Sequence, residues 1–358
     1  MERMDGFPGM GGILIKWYHE NRRDLPWRET TDPYLIWVSE IILQQTRVAQ
    51  GLDYYCRFVD RFPDVLSLAE AEEDEVLKYW QGLGYYSRAR NLHAAAKTVA
   101  TRFNGSFPLT YEEVRSLKGV GEYTAAAICS FAYRLPYATV DGNVYRVLAR
   151  VFGIDTPIDS GEGKACFTAL ARELMQGHAP DLFNQAMMEF GALQCTPNSP
   201  DCGLCPLEGR CLALATNRID KLPVKREKIA VKPRYFNYLH IHGDGMILLS
   251  KRIRKDIWQH LYEFPLIEAD RLLSWDELRA HEQFIHLMEG VGEITVTRTV
   301  IPPKHVLSHQ VIFAQFYDLE VSGFSPAMKA YLMVPEQEVS HYAVSRLMQY
   351  FWEINRES

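Results

Sequence analysis

Glu40 and Asp141 are the residues whose surroundings most directly suggest chemistry. Glu40 lies in Trp37-Val38-Ser39-Glu40-Ile41-Ile42-Leu43-Gln44-Gln45-Thr46. On a helix its face neighbours, three and four residues away, are Ile36, Trp37, Leu43 and Gln44. So apolar a face disfavours the charged carboxylate, raises its pKa and suits it to general acid work near neutral pH; the alternative is a glutamate that reaches solvent at a helix edge. Asp141 precedes the helical run from Asn143 to Val151, where the dipole and free N–H groups favour the ionised form. An aspartate there also serves as a plain N-cap. A proton donor paired with an anion able to stabilise a developing oxocarbenium ion is the combination that cleaves a glycosidic bond.

Cys195, Cys202, Cys205 and Cys211 carry a second chemistry, spaced C-x6-C-x2-C-x5-C. Four thiols in so short a stretch read as a metal site, not as disulfides. Zinc ligands usually come as Cys-x2-4-Cys pairs, and only Cys202 and Cys205 form one. Thiolate chemistry alone leaves zinc and iron–sulfur both open. Cys56, Cys129 and Cys166 sit in apolar stretches and read as small core residues. Gly119-Val120-Gly121, between the helical patterns Tyr111–Ser116 and Tyr123–Tyr133, makes a turn whose backbone N–H groups can hold a phosphate. The same turn also serves as an ordinary helix connection.

The elements that must position these groups fall into two parts. From Ile13 to about Ala215 apolar residues recur three and four apart, the mark of helices. One runs from Tyr34 to Ala49 with Asp32 as N-cap and Pro33 in its first turn; another starts at Ser87 and runs from Arg88 to Ala100. Lys221 to Pro233 is basic and proline-punctuated, as linkers are. Beyond it, Tyr235–Ile241, Met246–Lys251, Ile294–Val300 and Val306–Leu319 read as strands, with helices at about Trp275–Met288 and Val344–Ile354. The expected architecture is multidomain: a mainly α domain over 1–216, a linker over 217–232 and an α+β domain over 233–358.

Length and charge are compatible with this. At 358 residues, 47% hydrophobic and 23% charged, the chain has the composition of a soluble globular protein of two domains, not of a disordered or disulfide-stapled one. No basic leader with an apolar core and no apolar stretch of membrane-spanning length is evident, so a cytoplasmic protein without a membrane partner is expected. The net charge of -6 argues against a globally basic nucleic-acid surface. A local one remains at Lys221, Lys225, Arg226, Lys228 and Lys232. The acidic run Glu70–Glu75 reads as the solvated start of a helix.

Leu117 to Thr124, followed by Val140-Asp141-Gly142-Asn143, resembles the helix-hairpin-helix DNA glycosylase superfamily. With Leu25-Pro26-Trp27-Arg28, Val38-Ser39-Glu40, Leu43-Gln44-Gln45-Thr46, Gly82-Leu83-Gly84-Tyr85-Tyr86-Ser87-Arg88, Asn184 to Met188 and the four cysteines, the chain resembles the adenine DNA glycosylase (MutY) family from about Ile13 into the C-terminal region. The resemblance implies removal of adenine mispaired with 8-oxoguanine or guanine in duplex DNA, after the base is flipped from the stack. It implies that Glu40 protonates adenine at N7 and then activates water, and that Asp141, oriented by Asn143, stabilises the sugar cation. Trp27, Arg28 and Gln185 would build the adenine pocket. Gln44 and one of Tyr85 or Tyr86 would enter the duplex, and Gly119, Val120 and Gly121 would hold its backbone. Where the related endonuclease III family has a strand-cutting lysine, this chain has Tyr123, which implies a monofunctional enzyme.

The resemblance further implies a 4Fe-4S cluster on the cysteine quartet, there to shape a DNA-contacting loop. It also implies a monomer at the nucleoid. The stretch Leu248 to Pro265 resembles a Nudix-like module without the glutamate cluster that Nudix hydrolases use to hold cations. Such a module would read 8-oxoguanine through Leu307, Ser308 and His309, where the family has Phe-Ser-His. Two rival readings are an endonuclease III-like glycosylase-lyase, disfavoured by Tyr123 and the second domain, and a non-catalytic damage-binding protein, disfavoured by Glu40 with Asp141.

Overall fold

The computed structural model describes residues 9–226, 231–307 and 309–356, so Ser308 and residues 227–230 of the expected linker lie outside the described residues. The chain divides into two compact units: Met1–Glu70 with Asn91–Glu227, and Ala71–Arg90 with Lys228–Ser358. The 71–90 segment, expected with the helical part, therefore groups with the C-terminal one.

The first unit is helical: α1 (Met10–Asn21), α2 (Pro33–Leu43), α3 (Val48–Arg61), α4 (Val65–Glu70), then, beyond the 71–90 segment, most of α6 (Ser87–Arg102), α7 (Tyr111–Ser116), α8 (Glu122–Tyr133), α9 (Gly142–Phe152), α10 (Gly161–Met175), α11 (Pro180–Leu193) and α12 (Leu212–Ala215). Caps set several of these ends. The Asp32 carboxylate accepts from the Tyr34 N–H ahead of Pro33, and Thr110 and Ser160 close the first turns of α7 and α10. α2 is buried on nearly all sides, from Ile36 to Ile42, which marks it as a central helix. α9 buries Val144, Val147, Leu148 and Val151, at helical spacing, in a core shared with Leu14, Phe167, Phe183 and Phe190.

The expected helix from Tyr34 to Ala49 breaks. It ends at Leu43, Gln44 turns out of the helix with a ψ of 111°, Gln45 adopts a left-handed φ of 57°, and α3 starts at Val48. Apolar periodicity across the break reflects two helices that share one core. Cys56 and Cys166 are exposed rather than core; Cys129 is buried. The start of the basic stretch is also more ordered than a linker: Ile219–Lys221 is a 3-10 turn, Leu222 is buried, and the Arg150 guanidinium donates to the carbonyls of Ile219 and Leu222.

In the second unit α5 (Glu73–Tyr79) and the first turn of α6 join β1 (Lys232–Gly243), β2 (Met246–Lys251), β3 (Tyr262–Glu263), β4 (Leu266–Ala269), α13 (Trp275–Arg279), α14 (Glu282–Leu287), β5 (Ile294–Val300), β6 (His305–Val306), β7 (Gln310–Val321), β8 (Leu332–Pro335) and α15 (Arg346–Arg356). The sheet runs β3-β2-β1-β7-β5, with β1 and β7 parallel and β4, β6 and β8 pairing β1, β7 and β2. Alternation along β1 sends Phe236 and Tyr238 to one core, with Ile312, Phe316 and Phe351, and Leu239 and Ile241 to another, with Leu278 and Leu319. The expected strand Val306–Leu319 splits at Leu307, where the Leu307 N–H donates to the Gln310 carbonyl and closes a hairpin. The expected helix over Trp275–Met288 splits because His281 caps a new start at Glu282. The acidic run is not simply solvated: the Asp74 carboxylate accepts from Lys251 and from the Tyr262 hydroxyl, and Glu73 contacts His260.

Candidate active site

A cavity of about 660 Å³ in the first unit collects Trp27, Arg28, Glu40, Gln44, Tyr123, Asp141, Asn143 and Gln185. Eight residues drawn from five places in the sequence thus face one space. α2 brings Glu40 into it and, since the helix is buried on nearly all sides, keeps the side chain off the protein surface: Glu40 is 8% exposed. The solvent-edge reading is therefore excluded. Burial pushes its carboxyl up to about 7, against a hydrogen bond from the Tyr123 hydroxyl that favours the anion and with a further upward push from Asp141. The same burial holds the Tyr123 phenol well above its ordinary value. Tyr123 sits in the first turn of α8, whose Ala125, Ala126 and Ala127 let it pack closely on α2.

Asp141 is the N-cap of α9, and its carboxylate accepts from the Val144 N–H at 2.8 Å and from the Asn143 amide at 2.8 Å. Its pKa is nevertheless raised. Burial outweighs the hydrogen bonds from Val144 and Asn143, so the expectation that the helix terminus alone would favour the ionised form is corrected. Asn143 is in turn held by Arg146, which donates to its Oδ1 at 2.8 Å, to the Gly191 carbonyl at 2.6 Å and to the Cys195 carbonyl at 2.7 Å. The close approach of α11 that makes this possible requires Gly191: a Cβ there would lie 2.7 Å from the Asn143 Cβ.

The wall opposite is charged. Glu189, one turn beyond Gln185 on α11, receives Arg28 at 2.9 and 2.6 Å, Arg23 at 2.8 and 2.5 Å, and the Arg23 backbone N–H at 3.0 Å. Burial would raise its carboxyl, but these donors overcome it and hold it down at about 2. Gln185 accepts from the Tyr18 hydroxyl at 2.6 Å, Trp27 packs edge-on against Tyr55, and Gln44 donates to the Thr124 hydroxyl at 3.3 Å. Sequence reading missed Glu189, Arg23 and Arg146. The available signal was helical spacing: Glu189 is four residues from Gln185 and Arg146 three from Asn143.

The glycine turn lies at another place in the same unit. Gly119 has φ +81°, and a Cβ on it would meet the Asn91 Cβ at 2.7 Å. Gly121 is open and leads into α8, whereas Val120 is buried and its N–H donates to the Leu117 carbonyl. Tyr85 and Tyr86 belong to the second unit and differ sharply. Tyr85 is 48% exposed with a left-handed φ of 45°; Tyr86 is buried and its hydroxyl donates to the Val344 carbonyl, which removes it as a residue that enters DNA. Leu307 packs against the β-sheet core, and His309 is exposed at the hairpin tip.

The four cysteines line one pocket with Arg150 beside them, which donates to the Cys195 sulfur at 3.5 Å while its carbonyl accepts from Cys211. Burial pushes the thiols of Cys202 and Cys211 up, and that of Cys205 up to about 11. Four cysteines lining one pocket, with the thiols of Cys202, Cys205 and Cys211 costly to ionise without a cation, fit an all-thiolate metal centre.

Residues 38–167 match the family described as HhH-GPD superfamily base excision DNA repair protein, and residues 237–353 match the NUDIX domain. The adenine DNA glycosylase of Buchnera aphidicola subsp. Baizongia pistaciae (strain Bp) is 38% identical over 304 residues, 84% of this chain and 83% of that one. The adenine DNA glycosylase of Rattus norvegicus is 42% identical, with 96% of this chain and 77% of that one covered. Among solved structures, a thermostable thymine-DNA glycosylase superposes with a TM-score of 0.53 at 29% identity, over 57% of this chain and 95% of that one. A non-covalent endonuclease III–DNA complex superposes with a TM-score of 0.50 at 21% identity, over 58% and 94%, a likeness of fold.

Proposed function

Because the chain belongs to the adenine DNA glycosylase family, and is thereby a base excision repair hydrolase that acts on DNA, we propose that it removes adenine mispaired with 8-oxoguanine or guanine from duplex DNA. The observation that carries this reading is the pair Glu40 and Asp141 in one cavity, with Glu40 raised to about 7 so that a substantial fraction is protonated at neutral pH. With adenine flipped into the cavity, Glu40 gives its proton to N7, and the electron pair of the C1′–N9 bond leaves with the base. Asp141, whose carboxylate accepts from the Val144 N–H and the Asn143 amide, faces the oxocarbenium ion that remains. The Glu40 carboxylate then takes a proton from the attacking water. Tyr123 holds Glu40 by its hydroxyl and offers no amine to form a Schiff base, which supports release of an intact abasic strand.

Trp27, Arg28 and Gln185 supply the flat and hydrogen-bonding walls of an adenine pocket, and Gln44 and the exposed Tyr85 are the residues to enter the duplex. Gly119 and Gly121 present backbone N–H groups to a phosphate, next to the N-terminus of α8. Leu307, Ser308 and His309 read 8-oxoguanine. Cys195, Cys202, Cys205 and Cys211 would hold a 4Fe-4S cluster, which when bound ties the 195–211 loop at four points. The same reading makes the enzyme a monomer that works at the nucleoid in the cytoplasm. No helix among the described residues is long and apolar enough to cross a membrane.

A single-turnover assay on a duplex with adenine opposite 8-oxoguanine, with and without alkali, tests the proposal. Breaks only after alkali, lost in Glu40→Gln with duplex binding retained, are expected. Breaks without alkali would establish a lyase, and no breaks under either condition would overturn the substrate.

A further inference from the structure

We propose that His240, His242 and Asp318 form a binding site for a divalent transition-metal ion such as zinc, separate from the cysteine quartet. Their donor atoms all lie within 4.8 Å of one another. The backbone puts them together: His240 and His242 are two apart on β1 and share a face, and Asp318 on β7 is the register partner of His240. That face is apolar earlier in both strands, with Phe236 and Tyr238 on β1 and Ile312, Ala314 and Phe316 on β7. At the end of the sheet it turns into two imidazoles and a carboxylate. A core-facing stripe that becomes a cluster of potential ligands at one level of two paired strands calls for a partner other than more core.

The geometry is close to that of a coordination shell. His242 Nε2 lies 3.1 Å from Asp318 Oδ1, near the edge of a tetrahedron with metal–ligand bonds of about 2.0–2.1 Å, which is about 3.3 Å. His240 Nδ1 lies 2.6 Å from the same oxygen. Ion entry breaks the contacts of both imidazoles with this oxygen: on each ring the proton on the ligating nitrogen passes by way of solvent to the other ring nitrogen, and the freed lone pairs and the carboxylate bond the metal. The His240 ring is held between Phe264 and Phe351, at 4.6 and 5.1 Å between centroids, so its orientation is set without an ion. His240 also lines a cavity of about 490 Å³ with Glu336 and Glu353, and Glu320 is the register partner of His242. The partial exposure of His242 and Asp318 gives an ion access, and Glu320 or water supplies a fourth donor. Two nitrogens with a carboxylate favour zinc, nickel, cobalt or copper over magnesium or calcium. A bound ion would tie β1 to β7, the parallel pair at the centre of the sheet.

The test is equilibrium dialysis of the full-length, chelator-treated protein, its cysteine-bound metal retained, against zinc, for wild type, His242→Gln and Asp318→Asn. Cobalt absorption serves as a second readout. Wild type should bind one more zinc per chain than either variant, with affinity at the site lost by about 100-fold or more when a ligand is removed. The cobalt spectrum should show nitrogen and oxygen ligation without thiolate charge transfer. His242 is partly exposed near the strand end, so its glutamine variant should melt with wild type in chelator. Equal zinc content in wild type and a folded variant, or cobalt bands from thiolates alone, would overturn the site.

Discussion

At the scale of residues, the cavity holds two glutamates whose surroundings drive them in opposite directions. Glu40 rises from 4.5 to about 7, a difference worth about 3 kcal/mol. Its folded form binds a proton that its unfolded form releases between these values, so its contribution to stability is greatest below pH 4.5 and declines as pH rises through about 7. Glu40→Gln should therefore melt above wild type at pH 8 while excision falls by about 10²-fold or more. Above pH 7 the wild-type single-turnover rate should fall about tenfold per pH unit; a flat profile would remove Glu40 as the acid. Glu189, held at about 2 instead of 4.5, stabilises the fold above pH 4.5 and loses that contribution as pH falls toward 2. Glu189→Gln leaves Arg23 and Arg28 facing a neutral amide and should cost about 3–5 kcal/mol in urea unfolding. The burial of Glu40 was legible in its helical neighbours. The sign at Asp141 was not, because α9 capping was visible in the sequence whereas the packing that encloses the site was not.

At the scale of elements, caps and turns decided what could be read. Asp32 with Pro33 marked a helix start through a local hydrogen bond that depends only on nearby residues. The break after Leu43 carried no such mark, since Gln44-Gln45-Thr46 has neither glycine nor proline to announce the left-handed turn. The glycine turn is the element most open to test. Gly119→Ala sets a Cβ against Asn91 at a φ of +81° and should cost about 1–3 kcal/mol while weakening duplex binding; unchanged affinity in a gel-shift titration would remove the turn from the DNA surface. The adjacent tyrosines of the 71–90 segment separate just as cleanly. Tyr85→Ala should reduce duplex affinity and leave the melting temperature unchanged, whereas Tyr86→Ala should cost about 3–5 kcal/mol of stability.

At the scale of the whole molecule, the two units are not two contiguous halves. The boundary falls within α6, and Ala71–Arg90 belongs with the strands of the C-terminal part. Its ties are specific: Asp74 to Lys251 and Tyr262, Arg90 to the Gln259 carbonyl, Tyr86 to the Val344 carbonyl, and the Val344 N–H to Gln81. A fragment of residues 228–358 should therefore unfold at a lower temperature than the same strands in the full chain, and a peptide of residues 71–90 should restore part of the difference. Equal melting by circular dichroism would show these ties to be dispensable.

The sequence by itself determined the chemistry available. It supplied a carboxyl on an apolar helix, a carboxylate at a helix start, four clustered thiols and a glycine turn, each expressed over a short local stretch of chain. It also marked the start of α2 at Asp32 and the change from helical to strand periodicity beyond the basic stretch, because caps and alternation act over one or two turns. Tertiary structure alone decided that burial outweighs the helix terminus at Asp141 and which neighbours share a cavity. Arg23, Arg28 and Glu189 meet across more than 160 residues of chain. The 71–90 segment likewise left the helical part of the sequence for the sheet. Long-range pairing depends on packing among distant elements, and no local pattern encodes it.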